Sequence, residues 1–421
     1  MNFGAHKHNT NRVSLRKAKL SQVKSSALSV GFSVLFVAGF ELRADEGDLE
    51  VYPIETSQST KDTVIIPIVG AMESTGLLAG SLISKTGVGQ RQAQAVAFGA
   101  YSVNDSYLSY LGYFNYGLSD RWTLDISALQ AEFTDTDFFI GDRESNASSN
   151  ASHLQRDVLM TFRYLLSQDK VKTSYPTTHN SLTTYSANPI RTVFEIEPFY
   201  RSRDFISPDV ENVEGVTYGM SMKLDRDTRN YAPSASNGSH SYASIIRDWG
   251  NSTRASYTRW EAQHTQYLDL GSNTWSQQQT LSLTGYLSDM PTWKNSVAST
   301  QPDWFAQSTL GGPDRMRGYG DNYFHDRSAL FYGAEYRLVP NWQPQTTAPL
   351  LRHYNFPWWQ FAVFAELGSV ENKFDMIELH KDMQWSSGVG VRVFIENIVA
   401  RADFAFSQDD SILRFTVNQA F

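Results

Sequence analysis

Apolar and polar residues alternate with a period of two along most of this chain, as half-buried β-strands require. The period is clearest in the last third. Over 358–370, Trp359, Phe361, Val363, Ala365 and Leu367 share one face, and Gln360, Ala362, Glu366 and Gly368 share the other. Over 328–339, Leu330, Tyr332, Ala334, Tyr336 and Leu338 oppose Gly333, Glu335 and Arg337. In 383–395, Trp385, Val389, Val391, Val393 and Ile395 oppose Gly388, Gly390 and Arg392. In 396–406, Ile398, Ala400, Ala402, Phe404 and Phe406 oppose Arg401 and Asp403. The final segment sets Leu413, Phe415, Val417 and Phe421 against Arg414, Thr416 and Asn418.

The same criterion predicts strands near 62–71, 75–85, 91–102, 106–117, 121–133, 153–167, 191–203 and 214–226. It continues with 239–248, 254–270, 277–289, 328–339, 358–370, 383–395, 396–406 and 411–421. Sixteen is an even number, as a closed bacterial barrel needs. No amphipathic helix of any length interrupts them. Some connections are short, such as GLSD at 117–120, and the polar stretch 134–152 is expected to be a long outer loop. The connections 168–190 and 340–357 are long and fall at the opposite end, where short turns are the rule.

Periodicity alone does not separate a membrane barrel from a soluble sandwich, because the two exchange faces. The N-terminus and the composition decide. Residues 1–24 hold six Lys/Arg and no Asp/Glu, an apolar core follows over Ala27–Phe40, and Leu42 and Ala44 stand at −3 and −1. This reads as a secretory signal peptide over 1–44, with cleavage expected after Ala44. Its apolar run is shorter than the ~20 residues a spanning helix needs. Removing it takes away seven Lys/Arg and one Asp/Glu, so the net charge moves from −8 to −14. An acidic mature chain argues against nucleic acid as a partner. There are no cysteines, which excludes disulfides, a lipidated Cys and thiolate metal sites. Aromatic residues make up 13% of the chain, enough for two interfacial girdles. The pairs Trp304–Phe305 and Trp358–Trp359 are expected to sit in those girdles. The expectation is an all-β chain: a sixteen-stranded antiparallel transmembrane β-barrel over 62–421, preceded by a short segment at 45–61.

Residues 310–322 read LGGPDRMRGYGDN, a Gly-rich loop with charge and aromatics between two strands. A loop of this composition on a β scaffold is a candidate for function. At this point the chain resembles the superfamily of BamA, TamA and the two-partner-secretion transporters, the bacterial surface antigen barrels. The resemblance covers roughly residues 62–421. It rests on an Arg-Gly-aromatic triplet, here Arg317, Gly318 and Tyr319 after Gly311–Gly312. A Phe-x-Asp-x-Gly strand is matched by Phe364, Glu366 and Gly368, with Glu in place of Asp. An Asp-x-Arg turn is matched by Asp225, Asp227 and Arg229, followed by Pro233 and Gly238. A Gly-x-Gly strand (Gly388, Gly390) and a terminal aromatic, Phe421, agree as well.

The resemblance implies that the loop folds into the lumen and that Arg317 is held there. A buried guanidinium demands carboxylates, and Glu366, with Glu335 as a second inward acid, is the expected partner. It also implies that Phe415, Val417 and Phe421 serve as a C-terminal assembly signal, with Gln419 where an apolar residue is usual. Family members commonly carry periplasmic POTRA domains, whereas 45–61 is too short for one, so a barrel-only member is expected.

Asp225, Asp227 and Arg229 are expected to form a charged periplasmic turn, with Ca²⁺ or anion binding as the alternative. No G-x-S-x-G or H-E-x-x-H is present, and GSLISKT at 80–86 reads as a strand rather than a phosphate loop. No catalytic residue, metal or cofactor is therefore expected, and the protein is not read as an enzyme. The implied function is insertion or translocation of proteins, or lipid transfer, at the bacterial outer membrane through a seam between the first and last strands. The expected partners are outer-membrane lipid, the barrel-assembly machinery during biogenesis, and a separate periplasmic protein standing in for the missing domains. The competing class is a plugged or narrow structural pore, exposed as a surface antigen.

Overall fold

The computed structural model describes residues 63–420, apart from 73–75, 141–146, 170–189, 207–212, 253, 295–299, 344–357, 396–397, 410 and 418. The expected signal peptide and the 45–61 segment lie outside the described residues. The first strands are β1 (Thr63–Met72), β2 (Gly76–Thr86), β3 (Gln94–Ser102), β4 (Tyr107–Gly117), β5 (Trp122–Ile140) and β6 (Ala147–Asp169). They are followed by β7 (Ile190–Ile206), β8 (Val213–Asp227), β9 (Gly238–Asp248), β10 (Thr258–Gly271) and β11 (Ser276–Asp289). A loop at 290–327 carries the short strands β12 (Ser308–Leu310) and β13 (Phe324–Asp326). The chain closes with β14 (Ser328–Pro340), β15 (Trp358–Glu371), β16 (Gln384–Ile395), β17 (Ile398–Phe406) and β18 (Ser411–Val417).

Every expected strand is found, and all sixteen form one antiparallel sheet in chain order from β1 to β18. Among the described residues no ladder joins β1 to β18. The chain ends lie at one end of the barrel, the near end; the 290–327 loop starts from the other, the far end.

The faces follow the alternation. On β14 to β18 the outward side chains are apolar and accessible, as with Val363, Val389 and Leu413, while Glu335, Arg337, Arg392 and Arg414 are buried in the lumen. The lumen is not uniform, however. The register links Ile66, Leu82, Phe98, Tyr110, Leu129 and Asp157 in one inward row across β1 to β6. Leu82, Phe98, Tyr110 and Leu129 belong to an apolar cluster with Ile68, Leu78, Val96, Leu108 and Phe114, and Ile66 packs against it. The equivalent row at the other edge runs Thr280, Arg337, Ala362, Gly390, Asp403 and Arg414.

Two expectations need correction. Residues 134–140 and 147–152 are strand rather than loop: β5 and β6 are 19 and 23 residues and pair as far as Ile140 and Ala147. Once both strands exceed the ~9–11 residues a membrane requires, their ladder continues past the barrel, because paired backbone satisfies its polar groups wherever it lies. The two aromatic pairs are not girdle pairs either. Trp304 and Phe305 sit in the 290–327 loop against Phe205, and Trp358 is buried in the lumen, stacked on Phe394 at 5.3 Å. Adjacent strand residues point to opposite faces, so only Trp359 of its pair turns outward.

Candidate functional site: an arginine-locked loop in the lumen

The 290–327 loop is fastened at its base before its tip enters the lumen. Ser308 to Leu310 pair with Phe324 to Asp326. Arg327 Nε donates to Asp289 Oδ1 at 3.0 Å, and Arg259 of β10 donates to the Gln307 carbonyl at 2.7 Å. The tip then turns sharply: Met316 and Asn322 take left-handed φ values of 56° and 53°. Non-glycine residues occupy that region at a cost and persist where surrounding contacts hold them. Met316 is fully buried with Leu310, Tyr319, Phe331 and Val370.

Arg317, fully buried, lies at the centre. Its Nε donates to Glu366 Oε1 at 2.7 Å, and its own backbone N–H donates to Glu366 Oε2 at 2.7 Å. Its Nη1 donates to Glu335 Oε2 at 2.6 Å and to Asp403 Oδ2 at 3.2 Å. The guanidinium lies over the Phe364 ring, 3.4 Å from its centroid. Both carboxylates assigned to Arg317 from sequence are thus its partners, and Asp403 is a third.

Three acids around one cation would leave excess negative charge, and the lumen wall supplies the balance. Arg392 pairs with Asp403 and, at 3.1 Å, with Glu335. Arg337 donates to Glu335 Oε1 at 2.6 Å. Arg401 reaches the Pro313 carbonyl at 2.8 Å, and Arg414 reaches the Arg317 carbonyl at 3.2 Å and Asp321 at 3.1 Å. The loop's own backbone is therefore part of the network. Charge-assisted bonds in a desolvated setting are the strong ones, and removing one partner is costly.

Two glycines make room. A Cβ at Gly318 would come within 2.6 Å of the Phe406 carbonyl, and the Gly318 N–H donates to Ser386 Oγ at 2.8 Å. A Cβ at Gly390 would collide with the Asp403 carboxylate and the Arg392 guanidinium. Tyr319 packs edge-on to Phe324 at 4.8 Å, inside the apolar cluster that the loop shares with β11, β14 and β15.

Arg315, two residues earlier, was not singled out from sequence. It stacks on Tyr286 at 3.7 Å and donates to Tyr242 Oη and Gln263 Oε1 at 2.9 and 2.8 Å. Arg315 thus grips β9 to β11 while Arg317 grips β14, β15 and β17, so the tip spans the lumen. Strict two-residue spacing of the arginines was the available signal. Arg392, Arg401, Asp403 and Arg414 were legible only as inward-facing positions, because their pairing depends on the register of four strands.

Asp225 and Asp227 close β8 and are buried, as is Arg229 just beyond it. Both Asp227 oxygens are taken by Arg229, at 3.0 and 2.9 Å, and Asp225 meets His240 at 2.8 Å. Among the described residues no cluster suited to a metal ion is present. The segment then folds into the near mouth of the lumen. Ala232, Pro233 and Ser234 form a buried 3-10 turn, and Tyr231 packs edge-on to Phe394 at 6.3 Å. Ser234 Oγ accepts from Gln360 at 3.0 Å, and the Pro233 carbonyl accepts from Gln419 at 2.9 Å. Gly238 ends the turn at φ 100°, with Thr228 backbone where a Cβ would be.

The polar Gln419 therefore has its partner inside the barrel, beyond the end of β18. Phe415 lies on β18 with its side chain partly buried on the outward side. Phe421 and the Val417 side chain lie outside the described residues.

A sixteen-stranded antiparallel sheet, apolar outward and charged within, with a loop drawn into its lumen, is a transmembrane β-barrel. Its particular fold is that of the BamA and two-partner-secretion barrels. Similar solved structures include BamA from Haemophilus ducreyi lacking POTRA domains 1–3, at 13% identity and TM-score 0.51, covering 85% of this chain and 70% of that one. CdiB from Acinetobacter baumannii matches at 11% identity and TM-score 0.51, covering 86% and 60%. CdiB from Escherichia coli matches at 10% identity and TM-score 0.56, covering 86% and 62%. The chain thus spans about six- to seven-tenths of the lengths of these proteins. No protein-family model and no curated protein matches the sequence.

Proposed function

We propose that the protein resides in the bacterial outer membrane and assists insertion or translocation of proteins, or transfer of lipid, by opening its seam. The observation that carries this is a loop locked across the lumen beside β1 and β18, the two ends of the sheet order, which no ladder joins among the described residues. Arg317 and Arg414 tie that loop to β14, β15, β17 and β18, so movement of the last strand is coupled to the loop. On this reading the far end faces outside and the near end faces the periplasm. Lipid, the assembly machinery and a periplasmic partner at the near mouth are the proposed contacts. No catalytic step and no cofactor is part of the proposal.

The test uses the absence of Cys. Antiparallel order places the start of β1 beside the end of β18, so Val64→Cys and Thr416→Cys are joined in cells by a short thiol crosslinker. A locked barrel that stays folded but loses its phenotype, with recovery on release of the link, is the expected result. A locked barrel that behaves as wild type rejects the seam.

A second reading is favoured by a separate observation: segments fold into the lumen from both ends. A plugged structural barrel or surface antigen needs no seam movement. Planar-bilayer recordings would show a closed wild type under either reading. Only the seam reading expects conductance to be unaffected by crosslinking while the phenotype is lost.

A further inference from the structure

The connection between β15 and β16 does not stand above the far rim. Register defines that rim: Trp260, Asp289, Ser328 and Glu371 form one row across β10, β11, β14 and β15. From Glu371 the chain turns outward and down. Phe374 packs edge-on to the outward-facing Trp260 at 5.5 Å, three strands away, a reach of about 14 Å across the sheet. His380 Nε2 lies 3.0 Å from the Tyr332 hydroxyl. Tyr332 is four residues below the rim, about 13 Å down the outer wall. It shares its row with Leu367 and Trp385, which face outward and are accessible.

The folded-back segment is well formed. A single helical turn, α1 (Met376–Leu379), is capped by Asp375, which accepts from the Ile377 and Glu378 N–H groups at 3.0 and 3.3 Å. Leu379 is fully buried, and Ser369 Oγ donates to its carbonyl. Three of the segment's exposed residues are apolar, Ile377 at 72%, Phe374 at 42% and Met376 at 41%, beside the exposed polar Asn372, Lys373, His380, Lys381 and Asp382. The segment's lysines are locally matched, Lys373 with Asp375 and Lys381 with Glu378.

We propose that this segment, residues 372–383, is a membrane-interface anchor whose apolar tip inserts among the lipids of the leaflet at the far end. The occupant is the acyl–headgroup boundary of the bilayer. The argument is continuity: the tip is held at the level of the lipid-facing belt, on its outer side, and adds three apolar side chains to it. An apolar tip of this kind is stable in an interface and unfavourable in water. Because each lysine is paired within the segment, insertion does not depend on anionic headgroups.

The full chain with Ile377→Cys is labelled with an environment-sensitive fluorophore and reconstituted in phosphatidylcholine vesicles, with and without lipopolysaccharide. A belt position, Val363→Cys, is the control. The expected result is strong quenching of both labels by lipid-borne doxyl groups, little quenching by aqueous iodide, and the same outcome in both vesicles. Quenching of the 377 label by iodide alone, with the control quenched by lipid, overturns the anchor and leaves the barrel reading intact. Shielding of the 377 label from both quenchers means that protein covers the tip, and also overturns it. Quenching that requires lipopolysaccharide overturns the headgroup-independent form. Iodide quenching of both labels overturns the membrane placement itself, and the anchor with it. A Met376→Asp/Ile377→Asp variant, which spares the buried Leu379, is expected to fold and to lose the lipid contact of a label placed at Phe374→Cys.

Discussion

Two walls of one lumen are built on opposite principles. Across β1 to β5 the inward row is Ile66, Leu82, Phe98, Tyr110 and Leu129, sealed by contact among apolar side chains. Across β14 to β18 the inward row is Arg337, Ala362, Gly390, Asp403 and Arg414, sealed by charge pairing with a loop. The first wall needs no partner, because dispersion and water exclusion are non-directional. The second is stable only with every charge matched, so it specifies where the loop sits and which residues the loop must carry. The two ends of the sheet order, β1 and β18, lie where the two walls meet. One of them, β18, is coupled to the loop through Arg414, and the other, β1, packs against the apolar cluster.

The strongest way to break the comparison is Arg317→Ala. It leaves Glu366 and Glu335 buried with one counter-charge removed, a loss of about 3–5 kcal/mol. The expected outcome is a fall in heat-modifiable, folded barrel on gels and a lower urea midpoint. Arg317→Lys restores charge without the guanidinium fork and is expected to fall between. Phe98→Ala tests the other wall: a cavity in the apolar cluster is expected to cost about 3 kcal/mol, with the loop unaffected. Limited proteolysis of the loop should then separate the two variants, cutting Arg317→Ala and sparing Phe98→Ala. If the walls are independent, the double variant loses the sum of the two within about 0.5 kcal/mol; marked coupling would show that the loop also supports β1 to β5. Glu366→Gln keeps the shape and removes one charge, and is expected to cost about 1–3 kcal/mol in the same urea assay. The smallest effect belongs to the near mouth. Gln419→Ala loses its bonds to the Pro233 carbonyl at 2.9 Å and to Gln360 at 3.2 Å, about 1 kcal/mol. It is read as faster amide hydrogen exchange in residues 230–236.

Legibility differed between the same two walls. In β14 to β18 one face is apolar and the other charged, so the period of two is visible and the inward positions could be named one by one. In β1 to β4 both faces carry apolar or small residues, as in Leu77-Leu78 and Ile83, and alternation marks a strand without saying which face is inside. The candidate site was partly legible for the same reason. Arg317 stood out as a cation in a Gly-rich loop, and Glu335 and Glu366 as inward acids. Arg315 did not stand out, because nothing local shows that its partners are an aromatic ring, a phenol and an amide on strands up to 73 residues away.

What the sequence determined by itself is what short-range physics controls. Strand number, the outward apolar face of β14 to β18, and the loop bearing Arg317 all follow from alternation and composition. Tertiary structure decided the rest. Register aligned Arg337, Asp403 and Arg414 in one row through residues small enough to admit them. The turn after β8 folded into the near mouth, because Tyr231 and Pro233 find their partners, Phe394 and Gln419, on other parts of the barrel. Residues 134–140 and 147–152 became strand, because their hydrogen bonds come from each other. The 372–383 segment was laid on the outer wall by Trp260 and Tyr332, residues of other strands that no local pattern connects to it.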